Sequence, residues 1–273
     1  MFEVKFRQHN TEGVRYYSCS KINYSRDSDC IVLIHGEGCD HAFWGKIPEG
    51  LVHMGFSPVC IDLPQHGKSR EGLFTQSLPT YADAVIKVIK KLRCSKISLV
   101  GHSMGGIIAL LVEKEMREKE KIANLLLISS NIYSPSHMYL NTYLSRYPSK
   151  AFEYLLKHGF APRNRRKGKE FLKKIFEQEN LKIFQRDVAL MENTSLLNVL
   201  SKTKTPMVVL SGEKDGITPP EDVDAMIGNL PNATHIIIPS VGHYLPIERP
   251  SLLIAQIADA FLPSYSHFHP VII

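Results

Sequence analysis

The chain has 273 residues, 44% of them hydrophobic, close to the globular average of roughly 45–50%. That length fits one α/β domain carrying an insertion, large enough to bury a core without metal or disulfide staples. The net charge of +6 is modest, and no Lys/Arg stripe interleaved with aromatics occurs, which argues against a nucleic-acid partner.

In chain order, residues 2–7 and 13–18 alternate apolar and polar side chains and predict an opening antiparallel hairpin. Six apolar, β-branched runs follow, at 30–35 (CIVLIH), 56–62 (FSPVCID), 96–101 (KISLVG), 124–129 (NLLLIS), 206–211 (PMVVLS) and 234–239 (THIIIP). Near-continuous apolar runs suit strands buried on both faces of a parallel sheet. Helical stretches are expected at 78–92, 104–120, 221–229 and 248–261, so strands and helices alternate. The fold class expected is α/β, a doubly wound, mostly parallel sheet. The rhythm breaks between 132 and 203, where leucines and aromatics fall at helical spacing, as in FLKKIFEQENLKIF. The expected division is a core of 1–131 and 204–273 with a helical cap, or lid, over 132–203.

The five cysteines form no C-x-x-C pair and their number is odd, which argues for free thiols rather than a disulfide framework or zinc site. Free thiols suit a reducing compartment. The opening residues lack the apolar core of a signal peptide, and no run of about 18 apolar residues could span a bilayer. The expectation is a cytoplasmic protein with no membrane span and no metal.

Gly101-His102-Ser103-Met104-Gly105 matches G-x-S-x-G, and it sits between the strand KISLV and the helical run MGGIIALLVEKE. Strand, sharp turn and helix are the setting of a nucleophile elbow, in which glycines leave space and the helix N-terminus faces a developing oxyanion. A serine hydroxyl needs a base. His243, in Ser-Val-Gly-His-Tyr after the last strand, lies where open α/β sheets carry their sites, at the carboxyl edge. Its acid is expected to be Asp215, just past PMVVLSGEK, with Glu213 as the neighbouring alternative. Along the chain the three residues fall in the order Ser103, Asp215, His243.

With these motifs the sequence resembles the α/β-hydrolase family over nearly its whole length. His35-Gly36 ends the third strand, and residues 62–69 resemble the loop D-x-x-G-x-G-x-S, with Gln65 in place of its first glycine. Residues 101–106 read GHSMGG. The resemblance implies an oxyanion hole from the backbone N–H groups of Met104 and Glu37, and a lid that sets substrate choice. The H-G-E start is also similar to haloalkane dehalogenases and epoxide hydrolases, but those use an aspartate nucleophile and position 103 is serine.

The expected function is hydrolysis of a carboxylic ester through a covalent acyl-enzyme, without cofactor, on a small-molecule substrate with an apolar acyl or aryl group. Aromatic residues of the insertion, among them Phe152, Phe160, Phe171 and Phe184, are expected to pack the lid and in part to line an acyl pocket. Three other functions stay open: a carbon–carbon hydrolase or lyase on the same triad, a methyl esterase acting on acyl-carrier esters, and a non-catalytic small-molecule receptor. The basic run from Arg163 to Lys174 reads either as a solvated helix face or as a dock for an acidic carrier protein.

Overall fold

A computed structural model describes residues 4–19, 29–70, 76–92, 94–117, 122–132, 135–192, 197–228 and 230–261. The strands are β1 (Phe6–Thr11), β2 (Val14–Cys19), β3 (Asp29–Ile34), β4 (Ser57–Ile61), β5 (Lys96–His102), β6 (Ile122–Ile128), β7 (Met207–Gly212) and β8 (Ala233–Ile238). They form one sheet in the order β1-β2-β4-β3-β5-β6-β7-β8. From β4 to β8 every pairing is parallel, and β1 and β2 close one edge antiparallel.

Both faces of the central strands are buried, which accounts for their unbroken apolar runs. Along β3, Cys30, Val32 and Ile34 enter one core while Ile31 and Leu33 enter the other, as the two-residue period of a strand requires. Helices α2 (Leu78–Lys91), α3 (Met104–Met116) and α9 (Pro220–Ile227) cover the first face. Helices α1 (Ile47–His53) and α11 (Pro250–Phe261) cover the second. The Ser77 hydroxyl caps α2 by accepting from Thr80 N–H at 3.2 Å.

The chain leaves β3 toward β4 on one side and returns to β5 on the other, making a topological switch at the carboxyl edge. Open α/β sheets bind their ligands there. Between β6 and β7 the path is helical, through α4 (Pro135–Arg146), α5 (Pro148–His158), α6 (Arg165–Ile175), α7 (Gln178–Glu192) and α8 (Leu197–Leu200). The last of these already packs against α3. The final helical stretch is split, α10 (Leu245–Glu248) preceding α11.

Two expectations need correction. The hairpin's first strand runs four residues later than read, since the two-residue turn Glu12-Gly13 takes positive φ at both positions (50° and 83°) and pairs Thr11 with Val14. Residues 2 and 3 lie outside the described residues, as does the end of the predicted helix 104–120 beyond 117. Cys30 and Cys94 are disulfide-bonded, with Cα atoms 6.0 Å apart, so the thiols are not all free. Sequence spacing could not reveal this, because the bridge joins the starts of β3 and β5, neighbours in the sheet. Cys19, Cys39 and Cys60 are free and buried.

Candidate active site

Ser103 stands between the end of β5 and the start of α3 with φ 53° and ψ −118°. A non-glycine residue there is strained and persists only where its surroundings hold it. They do so tightly. A Cβ on Gly101 would overlap the Gly105 carbonyl, and one on Gly105 would overlap the Ile34 and His35 carbonyls. Ser103 N–H donates to Ile128 O at 2.9 Å, and Ser130 Oγ donates to Ser103 O at 2.8 Å.

His243, in the loop after β8, brings Nε2 to 3.1 Å from Ser103 Oγ and Nδ1 to 2.9 Å from Asp215 Oδ2. The Asp215 carboxylate is fixed by the turn that follows it. Ile217 N–H and Thr218 N–H each donate to Oδ1 at 2.9 Å, and Thr218 Oγ1 donates to Oδ2 at 2.8 Å. Ser103, Asp215 and His243 are each only 3% exposed. Burial pulls the His243 pKa down, but the charge and hydrogen bond of Asp215 outweigh it, and the net shift is upward from 6.5. Burial likewise opposes ionisation of Asp215, yet His243 and the Thr218 donors hold its pKa below the usual carboxylate value. Glu213, the alternative acid, is exposed, and its carboxylate accepts from Ser240 N–H and Lys214.

The loop after β3 runs beside Ser103, since a Cβ on Gly36 would come within 3.3 Å of Ser103 Cβ. Glu37 lies half-buried in a turn closed by Cys39 N–H to Gly36 O at 3.3 Å, and Met104 opens α3. His35 Nε2 accepts from Leu63 N–H at 3.1 Å, which leaves its Nδ1 to carry the proton and donate to Gly36 O at 2.9 Å. Burial lowers the His35 pKa and keeps that ring neutral. The 62–69 loop is structural. Asp62 accepts from His41 N–H and Nδ1, Lys68 N–H and Tyr17 Oη. Gln65 takes the glycine's conformation there, at φ 67°. Among the described residues, Asp40, His41 and Asp62 bring metal-type donor atoms within 4.8 Å of one another, but those of Asp62 already serve this loop.

Several contributors were not read from the sequence as part of the site. His102 Nε2 donates to His243 O at 3.0 Å and steadies the His243 loop. Burial drives the His102 pKa down to about 3, so the ring is neutral. Glu248, the buried last residue of α10, accepts from Gly242 N–H at 2.9 Å, Ala161 N–H at 3.1 Å and Asn164 Nδ2 at 2.7 Å, joining the histidine loop to the β6–β7 helices. The end of α5 also reaches in, with His158 O accepting from Gly216 N–H and Gly159 O from His243 N–H. Asp187 of α7 is buried against the 36–39 loop, and its signal was a charge on the helix face shared by Phe184 and Val188. Rings crowd the histidines. Phe43 lies 4.7 Å from His102, Tyr244 lies 5.0 Å from His243, and Phe160 and Phe171 of the helical insertion pack on Tyr244.

The chain is 27% identical to an uncharacterized hydrolase, YugF, of Bacillus subtilis, over 93% of this chain and 96% of the relative. It is 26% identical to a putative esterase/lipase of Haemophilus influenzae, covering 88% and 86%. A more distant relative, at 21% identity over 78% and 88%, is the pimeloyl-[acyl-carrier protein] methyl ester esterase of Nitrosomonas europaea. A thermophilic esterase from Thermogutta terrifontis has the same fold, with a TM-score of 0.73, 22% identity and coverage of 94% and 97%. Residues 31–257, from β3 through most of α11, match the alpha/beta hydrolase family model, and the chain belongs to that family.

Proposed function

We propose that this hydrolase cleaves carboxylic esters through a covalent acyl-enzyme, with Ser103 as nucleophile, His243 as general base and Asp215 as the acid that orients it. The observation that carries the reading is the unbroken hydrogen-bonded row Asp215–His243–Ser103, ending on a strained serine at a helix N-terminus. Ser103 Oγ attacks the ester carbonyl carbon as His243 Nε2 takes the hydroxyl proton, and the carbonyl π pair moves onto oxygen. Backbone N–H groups of Met104 and Glu37 are assigned to hold that oxyanion. When the intermediate collapses, the alcohol leaves with the proton from His243. Water then gives a proton to His243, attacks the acyl carbonyl and releases the acid, restoring Ser103. The proton balance closes on His243 alone.

Residues 132–203 act as a cap, supported by the packing of Phe160 and Phe171 over the rings beside the triad. Those rings favour an apolar acyl or aryl group, and the esterase/lipase relative supports an ester. Purified protein should hydrolyse p-nitrophenyl butyrate, and a fluorophosphonate probe should label Ser103 alone. Ser103→Ala should lower kcat by at least about 10⁴-fold with little change in Tm, since loss of a triad member removes most of the rate. Full activity in the pure variant, or labelling at another residue, would refute the assignment.

A second reading concerns the alcohol or carrier side. The outer face of α6 and the residues before it present Arg163, Arg165, Arg166, Lys167, Lys169, Lys173 and Lys174, all exposed. That face, with the carrier-ester relative, supports an acyl group delivered on an acidic carrier protein.

A further inference from the structure

We propose that Asp187, on the helical segment above the sheet, is a positioning residue for the oxyanion hole, holding the 36–39 loop in shape through Gly38 N–H. The inference rests on the reading of that loop as the source of the Glu37 donor.

Asp187 projects from α7, and its side chain is fully buried. Its two oxygens accept from every side. Oδ2 takes His66 Nε2 at 2.7 Å and Gly38 N–H at 3.0 Å. Oδ1 takes Tyr81 Oη at 3.1 Å, Arg186 Nε at 3.2 Å and Arg186 Nη2 at 3.1 Å. His66, Tyr81 and Arg186 would suffice to anchor a buried carboxylate. The bond to Gly38 does something else, because it reaches across 149 residues of sequence to a backbone group next to Glu37.

Gly38 has φ +63°, a conformation glycine adopts freely and one that fixes how the peptide joining Glu37 to Gly38 meets the rest of the turn. Phe184, one turn before Asp187 on the same helix face, presses on it, since a Cβ on Gly38 would come within 2.7 Å of Phe184 Cβ. At the other end of the turn, His35 Nδ1 holds Gly36 O. The loop is therefore clasped by the sheet at Gly36 and by α7 at Gly38, with Glu37 between. When α7 is seated, Glu37 N–H is aimed; when α7 is displaced, one of its two constraints is lost. Oxyanion stabilisation depends on donors fixed before reaction, and a 1 Å misplacement costs on the order of 10²-fold in rate.

The test compares Asp187→Ala and Asp187→Asn with wild type, using p-nitrophenyl butyrate, with rates expressed per Ser103 titrated to completion by a fluorophosphonate. Asp187→Ala should lose roughly 10- to 100-fold in kcat, with KM changed less than about threefold. Asparagine keeps a carbonyl oxygen for Gly38 N–H, and Tyr81 can turn its hydroxyl to accept from the amide. Asp187→Asn should therefore recover most of the kcat while still melting earlier than wild type. Should Asp187→Ala not fold, Asp187→Ser is read in its place, its hydroxyl being too short to reach Gly38. The control is Glu113→Gln, which disrupts another buried carboxylate, held by Arg117, Thr203 and Thr205 away from the site. It should lower Tm and leave kcat per titrated serine unchanged.

Unchanged kcat per titrated serine in the alanine or serine variant overturns the proposal, as does an asparagine variant as slow as alanine. If wild type turns over no ester, the functional reading fails separately. The rate of fluorophosphonate labelling at Ser103 then decides, slowed in Asp187→Ala if Asp187 positions the loop and unchanged if it does not.

Discussion

His243 lies between two opposed influences, burial that discharges it and Asp215 that charges it, and the second prevails. In the proposed mechanism His243 must be neutral to take the Ser103 proton, so kcat/KM should fall as pH drops through a value above 6.5 and stay flat to higher pH. A rate constant from pH 5 to 8 would remove His243 from the role. Stability runs by the same linkage with opposite limbs. The raised His243 pKa contributes stability present below 6.5 and lost as pH rises through the folded value. The lowered Asp215 pKa contributes stability present above about 3.8 and lost as pH falls through its folded value. Asp215→Asn separates geometry from charge. The amide can keep the Thr218 contacts but favours the wrong histidine tautomer, and kcat should drop by about 10⁴-fold. A drop under tenfold, measured on folded protein by the same ester assay, would return the acid's role to another group.

At the scale of elements, the β5–turn–α3 unit places Ser103 only because backbone meets backbone on both sides of it. Gly105→Ala would drive a methyl group into the carbonyls of Ile34, the last residue of β3, and of His35 just after it, and the parallel pairing of Ile34 with Gly101 resists their displacement. We expect a loss of about 3 kcal/mol or more, read as a lower denaturation midpoint, and an inactive protein where any folds. A variant as stable as wild type would mean that α3 can shift away from the sheet. This unit was legible in the sequence because glycine spacing and apolar periodicity record local sterics and which face is buried. The same holds for β3 to β8, whose runs were read close to their observed bounds. Pairing was not legible where it depends on the fold. Asp187 reaches Gly38, and Cys30 meets Cys94 at the starts of adjacent strands, by contacts that periodicity does not encode. Glu248 entered the sequence reading only as the start of the expected helix 248–261, since nothing local says that a glutamate will be buried under three donors. The hairpin shift has a third cause, because Glu12 adopts a positive φ usually left to glycine or asparagine, and the turn is hidden by residue type.

For the whole molecule, the row Ser103–His243–Asp215 is only 3% exposed, beneath aromatic rings that the β6–β7 helices help to supply, so the proposed reaction requires those helices to move and admit the ester. Whatever delivers the substrate therefore meets those helices first, and their most distinctive outer surface is basic. Along α6, Gly168, Leu172 and Ile175 are buried while Arg166, Lys169 and Lys173 face solvent on one side at helical spacing. The helix packs against α10, which begins two residues after His243. Such a face would raise the association rate of an acidic carrier and do nothing for a small neutral ester. Arg165 is the wrong place to test this, because its guanidinium donates to Lys157 O at 3.1 Å and holds α5. Arg166→Glu with Lys169→Glu reverses charge without touching that bond. The double variant should lower kcat/KM for an acyl-carrier ester severalfold while p-nitrophenyl acetate is hydrolysed as before. For wild type, the carrier reaction should also slow as salt rises, because the Debye length shrinks from about 10 Å at 0.1 M to about 3 Å at 1 M. Equal losses with both substrates would make the face structural. No loss with either would make it a solvated helix surface, and the hydrolase would then take its ester free in solution.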